Sequence, residues 1–147
     1  MCIRFPLSLF PTLIGCSLLA MGCAKGKSDA GIFPVQGTVL VKGKPAAYAQ
    51  VKLIPVDEDL REKSTAIGQA NEEGEFQLST RKLNDGARAG EYYVAVSWRI
   101  PDNPRSSDDP QFSKELLPAK FQDPEKSGVK IEISPNEKEL PPIELNP

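Results

Sequence analysis

The chain has 147 residues, 18 basic and 20 acidic side chains, a formal charge of −2 and no histidine. That length holds one domain, and its interleaved charges form no basic stripe for nucleic acid. The missing histidine removes the commonest general base, the Ser-His and Cys-His nucleophile pairs, and the usual zinc and copper ligands.

Arg4 is followed by an uncharged run from Phe5 to Gly22, broken by Pro6 and Pro11. The run sits at the lower edge of what spans a bilayer. A positive start, an apolar middle and a small residue before a cysteine fit a signal peptide better than an anchor helix. Leu18-Leu19-Ala20-Met21-Gly22-Cys23 resembles a bacterial lipobox, which implies a diacylglyceryl group on the Cys23 thiol and cleavage on its N-terminal side. Leu13-Ile14-Gly15-Cys16 matches the same pattern with the preferred leucine. Cutting there would leave a very short apolar region and an apolar tail from Ser17 to Gly22, so Cys23 is the expected lipidation site. Several acyl chains hold a protein stably where one does not. The expected organisation is a lipoprotein signal peptide over 1–22, a lipidated cysteine and flexible tether over 23–32, and a domain over 33–147. Cys2, Cys16 and Cys23 are the only cysteines. The exported domain therefore has no internal disulfide and relies on its core.

From Phe33 onward, short β-prone runs alternate with glycine and proline, without sustained helical periodicity. Strands are predicted over Val35–Val41, Gln50–Val56, Thr65–Ala70, Glu75–Thr80, Glu91–Trp98, Val129–Ser134 and Ile143–Leu145. Val51 and Leu53 share a face, Phe76 and Leu78 point inward, and Pro55 marks a strand end or an edge. Lys42–Pro45 and Asn71–Gly74 read as turns, Pro135-Asn136 as another, Asp57–Lys63 as a charged loop and Arg81–Arg88 as a polar excursion. Gly74 and Gly90 stand where the chain reverses before a strand. Glu91–Trp98 is the strongest strand and is expected to be central, with Tyr92, Val94, Val96 and Trp98 on one face and Tyr93, Ala95 and Ser97 on the other. Ile100 to Gly128 is proline-rich and charged, long for an irregular connection. Within it, Phe112–Leu117 is predicted to form a turn or two of helix ended by Pro118. The sum is an all-β, seven-stranded antiparallel sandwich with a long irregular insertion before its last two strands.

An ordered set of short motifs carries a resemblance. Gly37-Thr38-Val39, Lys44-Pro45, Ala49–Pro55, Asn71–Phe76, Gly86–Tyr92 and Leu117-Pro118-Ala119-Lys120-Phe121 follow one another at familiar spacings. Together they resemble the small bacterial lipoproteins with a carboxypeptidase regulatory-like domain. The resemblance implies a transthyretin-like (prealbumin-like) Greek-key sandwich, non-catalytic and without a cofactor, and it passes on no catalytic residue. Phe121 stands where that pattern expects tyrosine.

Tyr93, Trp98, Phe112 and Phe121 are the candidate binding surface, as a ring platform for sugar or a partner. Tyr92 and Trp98 share a face with Val94 and Val96 and read first as core, whereas Phe112 and Phe121 are expected to roof the Tyr93 layer. Asp57-Glu58-Asp59 and Asp102–Asp109 offer oxygen ligands without the ligand-and-glycine pattern of a calcium loop. The expected role is a non-catalytic envelope module, tethered to a membrane through Cys23 and facing the periplasm or exterior, that binds an envelope protein or polymer. A purely structural lipoprotein and a carbohydrate-binding module are the alternatives. Ala24 after Cys23 leans towards the outer membrane by the known sorting rule.

Overall fold

A computed structural model describes residues 31–103, 111–135 and 137–147. The expected signal peptide, Cys16, Cys23 and the expected tether through Ala30 lie outside the described residues, as do Asn136 and most of the Asp102–Asp109 run.

The described chain is all-β. Its strands are β1 (Ile32–Phe33), β2 (Gln36–Val41), β3 (Lys44–Pro45), β4 (Gln50–Pro55), β5 (Ala66–Gln69), β6 (Glu75–Ser79), β7 (Ala87–Arg88), β8 (Gly90–Ser97), β9 (Lys130–Ile133) and β10 (Ile143–Leu145). Hydrogen-bonded neighbours run β10-β2-β6-β5-β4-β8-β9, with β3 folded back on β2 and a separate β1-β7 ladder. β8 lies inside this path, between β4 and β9, as expected of the strongest strand. β4 ends on Pro55, where the missing N–H costs no interior ladder bond.

Period-two alternation builds the core. Val39, Val51, Leu53, Phe76, Leu78, Tyr92, Val94, Val96, Ile133, Ile143 and Leu145 are all buried in one cluster, and Trp98 packs partly against it. The Tyr92 hydroxyl donates to the Arg88 carbonyl at 3.0 Å, so the ring enters the core with its polar atom satisfied. Burial raises the pKa of this phenol, against the lowering effect of that hydrogen bond and the nearby Arg88 charge.

Four expectations need correction. The sheet is not wholly antiparallel, because β10 pairs parallel to β2. The connection before it already runs alongside β2, with Gln36 N donating to Lys138 O and Leu140 N to Gln36 O. Leu140 is thereby buried and the chain reaches β2 in the same direction. Secondly, the Asp57–Lys63 stretch is a 3-10 turn over Glu58–Leu60 followed by one α-helical turn over Arg61–Ser64. Asp57 starts it by accepting the Asp59 N–H. Thirdly, the Arg81–Arg88 excursion ends in β7, paired with β1. Asp85 closes this loop by accepting the N–H groups of Thr80, Arg81 and Lys82. Lastly, no helix forms over Phe112–Leu117; a 3-10 turn over Ala119–Phe121 begins after Pro118 instead of a helix ending there.

Among the described residues, no helix is long and apolar enough to cross a membrane.

Candidate functional site

Beyond β8 the chain forms an irregular ribbon that returns against itself. Leu116 N donates to Trp98 O at 3.0 Å, Ser113 N to Ile100 O at 2.9 Å, and Asp102 N to Gln111 O at 2.9 Å. Pro101 and Phe112 face each other in an antiparallel bridge. Proline at 101 has no N–H to give, which suits a bridge at the margin of a sheet.

The base of the ribbon is pinned by Glu115. Its carboxylate accepts the Ser97 hydroxyl and the Trp98 N–H, each at 2.6 Å, and the Leu117 N–H at 3.3 Å. The Arg99 guanidinium approaches it at 3.4 Å, and the Glu115 side chain is only 15% exposed. Burial by itself would raise this carboxyl's pKa, but the hydrogen bonds from Ser97, Trp98, Leu117 and Arg99 prevail and hold it below the usual glutamate range. With its oxygens engaged by donors, Glu115 is a clamp on backbone and hydroxyl groups. It joins the end of β8 to the returning arm, and Leu117 then enters the core.

Above this clamp the ribbon carries large apolar side chains in solvent: Ile100 is 40% exposed, Phe112 56% and Leu116 47%. Single exposed apolar residues are ordinary. Here the register that opposes Pro101 to Phe112 puts Ile100 and Phe112 on opposite sides of the ribbon, so both sides carry an exposed apolar side chain.

The expected aromatic residues go to separate places. Trp98 is half-buried against the core, and its indole N–H donates to Ala47 O at 2.9 Å. Tyr93 is half-buried, lies across from Ile54 and Lys130 in the sheet register, and carries the Lys130 ammonium 4.7 Å from its ring centroid. Phe121 is 4% exposed and belongs to the cluster that holds Tyr92, Val94 and Val96. It therefore offers no surface and does not roof the Tyr93 layer. Burying an aromatic ring in the main core stabilises more than laying it over small and long polar side chains. Phe112 alone of the four is largely exposed.

Reading by residue type passed over Glu115, Ile100 and Leu116. The one local sign was an acid between apolar residues in Phe112-Ser113-Lys114-Glu115-Leu116-Leu117, which helical spacing explained equally well. No protein-family model matches the chain, and no curated protein matches it at significant similarity.

Proposed function

We propose that the chain is a non-catalytic, lipid-anchored module of a bacterial envelope that holds a partner protein through the two ribbon arms, Trp98–Asn103 and Gln111–Leu116. In this reading the domain is a seven-stranded Greek-key sandwich of the transthyretin-like, carboxypeptidase regulatory-like type. The strand order supports it: β4, β5 and β6 are successive antiparallel neighbours, and β2 returns to lie beside β6. The hydroxyl of Tyr92, near the start of β8, bonding four residues back along the chain also supports it, since sandwiches use such a tyrosine corner.

The observation that carries the functional reading is the exposure of Ile100, Phe112 and Leu116 on a ribbon with a fixed base. An apolar surface on a pre-ordered element binds without a large ordering cost. A ring platform for sugar has less support, because Phe121 is buried and the Trp98 N–H is engaged. Anchoring in this reading follows from Cys23, whose acyl chains keep the domain near a membrane surface.

Two measurements test the reading. Labelled palmitate enters the wild-type chain and not Cys23→Ser; label retained in that variant contradicts the anchor. A photoreactive phenylalanine analogue at position 112 or 116, introduced in intact cells, gives a discrete protein adduct that Ile100→Asp abolishes and that the same probe at Glu144 on β10 does not give. The same adducts from all three positions, or none from the ribbon, favour a purely structural lipoprotein.

A further inference from the structure

A second surface lies on the outer face of the sheet, in a row of side chains that ends at Gln50, opposite the Ser97 whose hydroxyl donates to Glu115 at the ribbon's base. Gln36 pairs with Gln77 across β2 and β6, and Gln50 pairs with Gln69 across β4 and β5. The β5-β6 register, which opposes Ile67 to Ser79 and Gly68 to Leu78, continues one step to oppose Gln69 to Gln77. Four glutamines therefore form one rung, Gln36-Gln77-Gln69-Gln50, across four strands. Directly opposed residues point to the same side of a sheet, and all four are exposed. At the usual interstrand spacing the rung is about 14 Å long.

Nothing in sheet stability asks for this row, since β-branched and aromatic residues are the usual choice there. Nor do the glutamines satisfy one another. Gln69 donates to the Tyr48 carbonyl. Among the described residues, the amides of Gln36, Gln77 and Gln50 have no protein partner. Each offers two donors and one acceptor to whatever lies on the face.

The face is also hollowed. Two adjoining depressions of about 520 and 620 Å³ share Gln36, Gln77 and Asn84. Their wall is the Arg81–Asp85 loop, held rigid by the Asp85 carboxylate and by the Asn84 N–H donating to Ser79 Oγ at 2.8 Å. That wall carries Leu83, 87% exposed, and Ile67 on the floor is 42% exposed. The charges around the depressions, Glu75, Glu137, Glu139 and Lys138, are mainly acidic.

We infer that this face binds an extended, uncharged glycan bearing acetamido groups. The chemistry selects that class. Acidic side chains around the groove repel polyanions, and neutral amides give no charge to a polycation's full length. Paired donor and acceptor groups suit hydroxyls and secondary amides, while Leu83 and Ile67 suit an acetyl methyl. The strands repeat at a spacing comparable to the advance of one sugar ring in an extended hexose polymer, so successive glutamines meet successive rings. Gln50 borders the ribbon's base through Ser97, but the depressions lie at the other end of the rung and no ribbon residue lines them, so either site could fail without the other.

The test is titration of the full chain in detergent with chitohexaose, with cellohexaose as the matched polymer without acetamido groups, followed through the side-chain amide signals. Chitohexaose is expected to shift Gln36, Gln77 and Asn84 at millimolar concentration or below, with cellohexaose at least about fivefold weaker. Gln36→Ala/Gln77→Ala, two exposed positions, is expected to weaken binding at least about tenfold while leaving the backbone spectrum and thermal midpoint unchanged. Gln77→Glu, which keeps the shape and loses the amide donors, provides a second reading with the same expected direction. No binding of either sugar, equal binding of both, undiminished binding by both variants, or shifts confined to the ribbon overturns the inference.

Discussion

Three residues show how single positions carry this structure. Gly86 has φ +96°, and a Cβ there would lie 1.6 Å from the Phe33 carbonyl oxygen. The β1-β7 contact thus depends on a residue with neither side chain nor left-handed strain. Gly86→Ala is expected to cost about 3 kcal/mol or more, since strained backbone and steric overlap add. A urea unfolding curve checks this; an unchanged midpoint would contradict the β1-β7 register. Tyr92→Phe removes the part-buried hydrogen bond to the Arg88 carbonyl, at an expected cost of about 1 kcal/mol. Glu115→Gln keeps the volume but puts an amide donor against at least one of three incoming donors. It is expected to cost about 1–3 kcal/mol in the same experiment.

At the scale of elements, alternation made most strands legible. In Glu75–Ser79 and Gly90–Ser97 the inward residues are large and apolar, and the turn chemistry on either side is explicit. The elements that escaped are those whose stabilisation is not local. β1 and β7 have two residues each and exist because Gly86 lets the chain approach Phe33. The direction of β10 depends on where the preceding segment runs, which no local pattern encodes. In the ribbon, helical spacing over Phe112–Leu117 lost to Glu115, whose carboxylate takes the Trp98 N–H and so fixes an extended arm. The candidate site was legible in part: Phe112 and Trp98 were picked out by type, whereas the clamp and the burial of Phe121 come from tertiary packing. Substituting Phe112→Ser should leave stability within about 0.5 kcal/mol, as for an exposed residue, whereas Leu117→Ala should cost about 2–4 kcal/mol. Comparable losses in both would mean that the ribbon is part of the core rather than a surface.

At the scale of the whole molecule, the described residues contain no cysteine, so their stability rests on the core and on a few clamped carboxylates. Burial opposes ionisation of both Asp85 and Glu115, but backbone N–H donors on Asp85, and Ser97, Trp98 and their neighbours on Glu115, lower both pKa values. Each group then binds a proton less readily folded than unfolded. Its stabilising contribution is present above the unfolded-state value of about 4 and disappears as pH falls through the lower folded value. The urea midpoint of the wild type should thus fall between pH 6 and pH 2.5, and that of Glu115→Gln should fall less. Equal slopes would remove Glu115 from the acid response. The closed core and the exposed ribbon arms together describe a molecule that presents apolar side chains on a fixed scaffold.

The most direct measurement is native-state hydrogen exchange on the full chain in detergent, read at the amides of Trp98, Ser113 and Leu116. The clamp predicts that these amides exchange far more slowly than an unstructured chain, and that Glu115→Gln accelerates all three while the β4 and β8 amides keep their protection. Exchange at the unstructured rate in the wild type would contradict a pre-ordered ribbon, and with it the account of this protein as a module that binds through a fixed apolar surface.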